Sequence, residues 1–162
     1  MSEVNELLDE LTRIHDGDAG HGPALREVLE NISAAQAAAQ PIHDAHSIWE
    51  LVLHIAAWEN VTVRRLEGHS TSEPEEGDFP PVSDTSEAAW HNTVTRLNDI
   101  QARFLNEVAR LTDAGLNEKV VGENYSIRQL LRATARHKIY HTAQISLLRK
   151  GWTAEIGKTQ AG

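Results

Sequence analysis

His137 and His141 stand four residues apart in the stretch from Arg128 to Lys150, which carries a helical pattern from end to end. On a helix that separation puts two side chains on neighbouring turns of one face, where both imidazoles can reach a single ion. Leu130, Thr134, His137, His141, Gln144 and Leu148 follow steps of four and three, so the pair is expected to point into a core. Ser47, Leu51, His54 and Trp58 repeat the pattern on another helix and bring a third imidazole inward. Burying imidazoles without partners costs about 1 to 3 kcal/mol for each unsatisfied polar group, and a shared cation removes much of that cost. His54, His137 and His141 are therefore the expected ligands of one divalent metal ion. Zinc is the default, with nickel, manganese and iron as alternatives.

Three neutral imidazoles leave coordination positions for water or substrate, unlike a closed structural site with four ligands. The chemistry on offer is a lowered pKa for a water or a thiol, or a polarised carbonyl. The chain has no cysteine, so disulfides, thiolate zinc sites and a cysteine nucleophile of its own are excluded, and any thiol must come from outside. Two other readings stay open. A core histidine bonded to a carbonyl, or a buried cluster that titrates with pH, needs no metal. A non-catalytic metal-binding or dimerisation bundle with a structural or stress-related role uses the same residues without turnover.

Glu59, next to Trp58 on the helix of His54, is a candidate base or partner for a ligand's second nitrogen, and equally reads as a surface partner for an arginine. Tyr140 and Gln144 border the histidine pair and are candidates to bind substrate or water, though core hydrogen bonding would explain them equally. His21 sits in Gly20-His21-Gly22-Pro23, where glycines allow close approach, and is the fourth catalytic candidate beside the reading as a loop residue. Arg128, Arg132 and Arg136 form a stripe on the last helix. Arg132 and Arg136 are candidates to orient a substrate carboxylate, against the first reading as a solvated face paired with acidic neighbours. His43, His46, His69 and His91 have no partner at ligand spacing and read as surface residues. Trp49, Trp58 and Trp90 read as core anchors.

These residues need helices to hold them, and the pattern supplies several. Val4, Leu7, Leu8, Leu11 and Ile14 predict a first helix over Glu3 to Ile14, stopped by the Asp16-to-Gly20 run. A shorter piece follows over Ala24 to Ile32, with Pro23 in its first turn, and Ser33 to Gln40 adds another before Pro41. Ser47-Ile48-Trp49-Glu50 has the form of a capping box and opens a long helix that Gly68 should end. His69 to Val82, acidic and proline-rich, is expected to be an exposed connection long enough to cross a bundle's end. Asp84 and Glu87 resemble a cap for a third long helix through Trp90, Leu97, Phe104 and Leu111. Val120-Val121 is expected to anchor the next loop. Ser126 to Gln129 caps a fourth long helix, which Gly151 should stop.

Strand patterns are nearly absent, so the fold class is all-α: a four-helix bundle with additional short helices, read as a single domain over residues 1–162. With 162 residues the chain is long enough for a continuous core. Its net charge of -9 disfavours nucleic acid. With neither an export signal nor an apolar run long enough to span a bilayer, a cytoplasmic protein with no membrane contact is expected.

The segments Ser47-Ile-Trp-Glu-Leu-Val-Leu-His-Ile-Ala-Ala-Trp-Glu59 and His137-Lys-Ile-Tyr-His-Thr-Ala-Gln-Ile145 also resemble the DinB/YfiT-like superfamily, over about Gly22 to Trp152. The resemblance implies a four-helix bundle, a metal site at His54, His137 and His141, and a homodimer. Better understood members are thiol S-transferases that use bacillithiol and isomerases that use mycothiol, so it implies a small-molecule substrate with a low-molecular-weight thiol. The superfamily is chemically mixed, and transferase and hydrolase chemistry both stay open.

Overall fold

Serines open all four long helices, because a hydroxyl oxygen can accept from an amide that the first turn leaves without a partner. A computed structural model describes residues 2–160, with side chains described to residue 153. The long helices are α1 (Glu3–Asp16), α4 (Ile48–Leu66), α5 (Glu87–Ala109) and α6 (Ile127–Gln160), and α2 (Leu25–Leu29) and α3 (Ala34–Ala38) are short. Ser2 Oγ accepts from the Asn5 amide, Ser47 from Glu50, Ser86 from Ala89 and Ser126 from Gln129. The boxes at Ser47 and Ser126 close in return, through Glu50 Oε2 and Gln129 Oε1 on the serine amides, each at 2.8 Å. Among the described residues there is no strand, only an isolated bridge between Lys119 and Ser126.

α4 packs against both α5 and α6, and α1 packs against the same two, which puts α1 and α4 at opposite corners of a four-helix arrangement. Its interior holds two apolar clusters. One gathers α2, α3, Leu51 to Ala56 of α4, Trp90 to Ile100 of α5, and Ile145 and Leu148 of α6. The other gathers α1, Val63, Phe104, Val108, Leu131 and Ala135. No helix is long and apolar enough to cross a membrane among the described residues.

Four local expectations fail, each for a physical reason. α6 runs through Gly151 rather than stopping there, because glycine costs about 1 kcal/mol in a helix and does not forbid one. Pro41 lies against Gly151, where an added Cβ would sit 3.5 Å from the Pro41 ring. Asp84 does not cap α5: its carboxylate accepts from the Ser86 amide, and Glu87 reaches across to the Ala34 amide. Pro23 precedes the N-cap, Ala24, and so lies outside α2. Val120 is buried but Val121 is exposed, since neighbours in extended chain face opposite ways.

Candidate metal centre

The capping box fixes where α4 starts and therefore which residues face α6. Seven residues after Ser47, His54 is buried between the helices, opposite His137 and His141. The three rings meet edge to face or tilted, with centroids 4.5 to 4.9 Å apart. One nitrogen from each lies within 4.8 Å of the others, and the Nε2 atoms of His54 and His137 are 2.9 Å apart. Two lone pairs cannot face each other at that distance without a proton or a cation between them. The donor set of three imidazoles fits a divalent ion.

Tautomers follow from the other ring nitrogens. His54 Nδ1 donates to the Asp78 backbone oxygen at 2.7 Å, and a carbonyl can only accept, so Nε2 is left as the free donor atom. His141 Nδ1 donates to Gln144 Oε1 at 2.6 Å with the same result. Outer partners of this kind fix the orientation of ligating histidines. Burial, then the neighbouring His141 and His54, lowers the His137 pKa to about 4. Burial also lowers that of His141, against the Gln144 hydrogen bond. Both rings are therefore neutral at pH 7. Replacing Gln144 with leucine should weaken binding of zinc by about 10- to 100-fold, read by competition with a chromophoric chelator. An unchanged affinity would mean that the amide does not orient His141.

The connection from His69 to Val82 is not a merely exposed crossing. α4 and α5 are neighbours, so its length is used to fold back over His54. Phe79 lies flat on the His54 ring at 4.1 Å and on the His46 ring at 3.7 Å, so that one aromatic is sandwiched by two imidazoles. Asp78 accepts from Trp58 Nε1 at 2.7 Å, and its carboxylate stands 3.3 Å from His54 Nδ1. His46, read from the sequence as a surface residue, thus borders the site, with Nδ1 3.6 Å from Glu50. The available signal was Phe79, an aromatic residue in an otherwise polar, proline-rich loop.

The remaining candidates are dispersed. Tyr140 is 62% exposed with its ring 5.0 Å from that of His141, so its hydroxyl is free at the rim of the site. Glu59 holds no ligand's second nitrogen; it is buried against Lys138, and the two border the cleft beside His137. His21 is exposed in the link between α1 and α2, and none of the hydrogen bonds around the three rings involves it. Arg132 lies 3.4 Å from Glu3, which also takes both ends of the Arg128 fork, as expected of a solvated face. Arg136 is exposed on the same helix. A cleft of about 220 Å³ opens beside His137, walled by Trp58, Glu59, Thr62, Arg65, Thr134 and Lys138.

Residues 19–145 match a family model described as the DinB superfamily. No curated protein and no solved structure matches the chain.

Proposed function

The chain belongs to the DinB superfamily, and we propose that it is a metal-dependent enzyme whose single ion, held by Nε2 of His54, His137 and His141, activates a small-molecule thiol or a water. The observation that carries this reading is the convergence of three imidazole nitrogens within 4.8 Å of one another, two of them on tautomers fixed by Asp78 and Gln144. Imidazole donors suit zinc first, and also nickel, manganese or iron. Bound there, such an ion supplies Lewis acidity toward a thiol, a water or a carbonyl.

The chain's own part is to orient and to shield. Phe79 covers one face of His54 and keeps water from that side. Ile55, Trp58 and Leu130 give the cleft beside His137 an apolar wall, bordered by the charges of Arg65, Glu59 and Lys138, which suits the body of a small substrate with a polar end. On this reading the Tyr140 hydroxyl, exposed beside His141, and the Gln144 amide nitrogen would meet a substrate's polar groups at the rim. Because the chain has no cysteine, S-transfer requires an external thiol.

Cobalt-loaded protein titrated with low-molecular-weight thiols tests this. A new sulfur-to-metal charge-transfer band, absent from the His137→Ala protein, is the expected result and supports the transferase-like reading. No band, but hydrolysis of an ester panel that rises with pH around 7, would favour water activation. Neither signal would favour the alternative, a non-catalytic metal-binding or dimerisation bundle. That alternative draws on Tyr140 and Leu147, apolar residues seven apart on α6 that are 62% and 60% exposed.

A further inference from the structure

Lys138, directly after His137, is only 1% exposed, yet it is a lysine in the centre of the bundle. Its ammonium meets an acceptor on each of the other long helices. Glu59 Oε2 of α4 is 2.5 Å away, Gln101 Oε1 of α5 is in hydrogen-bond contact, and His15 Nδ1 of α1 lies at 3.4 Å. The acceptors are held in turn: His15 Nε2 bonds Asn98 Oδ1 at 3.1 Å, and Gln101 Nε2 donates to the Leu11 carbonyl at 3.2 Å. Glu59 is 2% exposed and meets the ammonium through Oε2, while Oε1 has no hydrogen-bond partner.

This polar layer lies where the two apolar clusters part. On α4, Glu59 stands between Ala56 of one cluster and Val63 of the other; on α5, Gln101 lies between Ile100 and Phe104; on α6, Lys138 lies between Ala135 and Ile145. Apolar contacts are non-directional and tolerate sliding or rotation of a helix, whereas metal ligands must be placed within about 0.2 Å. Buried ion pairs are poor sources of stability, because desolvation offsets their attraction, and their best-attested use is to fix register.

We propose that the Glu59–Lys138 pair is a positioning device for the three-histidine site: it sets the spacing of α4 and α6 and the rotation of α6, so that His137 and His141 face His54. The inference rests on the metal-site reading above. Lys138 is the helical neighbour of His137, so anchoring its ammonium centrally fixes the direction in which the His137 ring leaves the helix. Glu59, little more than one turn beyond His54, fixes α4 from the other side.

The test compares two double variants with the parent, using zinc affinity, the cobalt visible spectrum and the melting temperature of the metal-free protein. Glu59→Leu with Lys138→Met fills the same space without direction. It takes the donor away from Gln101 Oε1 and His15 Nδ1 and so should melt somewhat lower than the parent, but it should fold and bind zinc at least about 10-fold more weakly with an altered cobalt spectrum. Glu59→Gln with Lys138→Gln restores a hydrogen-bonded pair across the same gap and should recover most of the affinity. Parent affinity in the Leu/Met protein overturns the proposal. So does failure of that protein to fold, or equal losses of affinity and melting temperature in both variants, since either outcome makes the pair structural. Absence of zinc binding in the parent would instead overturn the metal-site reading itself.

Discussion

Changing His54, His137 or His141 singly to alanine is expected to lower affinity for zinc by more than about 100-fold, beyond the effect of losing an outer-shell partner. Among the described residues three imidazole nitrogens converge on the site, so the loss of one leaves two ligands and an ion that water can strip away. His46→Ala is the informative control. That ring stacks on Phe79, just outside the ligand set, and its loss should leave metal content at one ion per chain. Elemental analysis of the four purified variants, with equilibrium competition against a chelator, reads both effects. Stoichiometric metal in all three ligand variants would sink the proposed site, and a loss confined to His46→Ala would move it.

Helix boundaries were legible because they are local: a serine hydroxyl meets an amide three residues on, and the apolar steps that follow name the buried face. The three-histidine cluster was legible for the same reason, since two seams of known period must face each other in a bundle. Features that depend on chain returning from elsewhere were hidden. Nothing in the acidic run from Glu73 to Glu76 announces that Asp78 and Phe79 fold back onto His54, and His46 acquires its place only through Phe79. Gly151 has the form of a stop signal, yet a helical glycine costs only about 1 kcal/mol, and α6 runs through it. Lys138 is an intermediate case. Leu131, Ala135, Lys138, Thr142 and Ile145 form a second buried seam on α6, and a lysine in such a seam is a visible anomaly whose partners are not.

The same polar layer makes the protein sensitive to acid. Burial, and next the Lys138 ammonium, lower the His15 pKa from 6.5 to about 4, against the opposing pull of Asn98 and Asp16. An unfolded chain takes up this proton near pH 6.5, while the folded protein resists until about pH 4. The stabilisation is therefore complete above pH 6.5, is lost progressively as pH falls through that window, and levels off below about 4. A displacement of that size amounts to roughly 3 kcal/mol, a large part of the 5 to 15 kcal/mol typical of a domain. Urea unfolding of metal-free protein between pH 7.5 and 4.5 reads the total, to which the depressed pKa values of His137 and His141 also contribute. His15→Gln isolates the His15 share, since an amide can accept from Lys138 and donate to Asn98 without titrating. Relative to its own stability at pH 7.5, the variant should retain about 2 to 3 kcal/mol more than the parent at pH 4.5. Parallel pH curves for the two proteins would show that His15 is not held neutral by the layer. Proton uptake there would set an imidazolium 3.4 Å from the ammonium of Lys138, so neutrality of His15 is a condition for the layer to hold its four helices together.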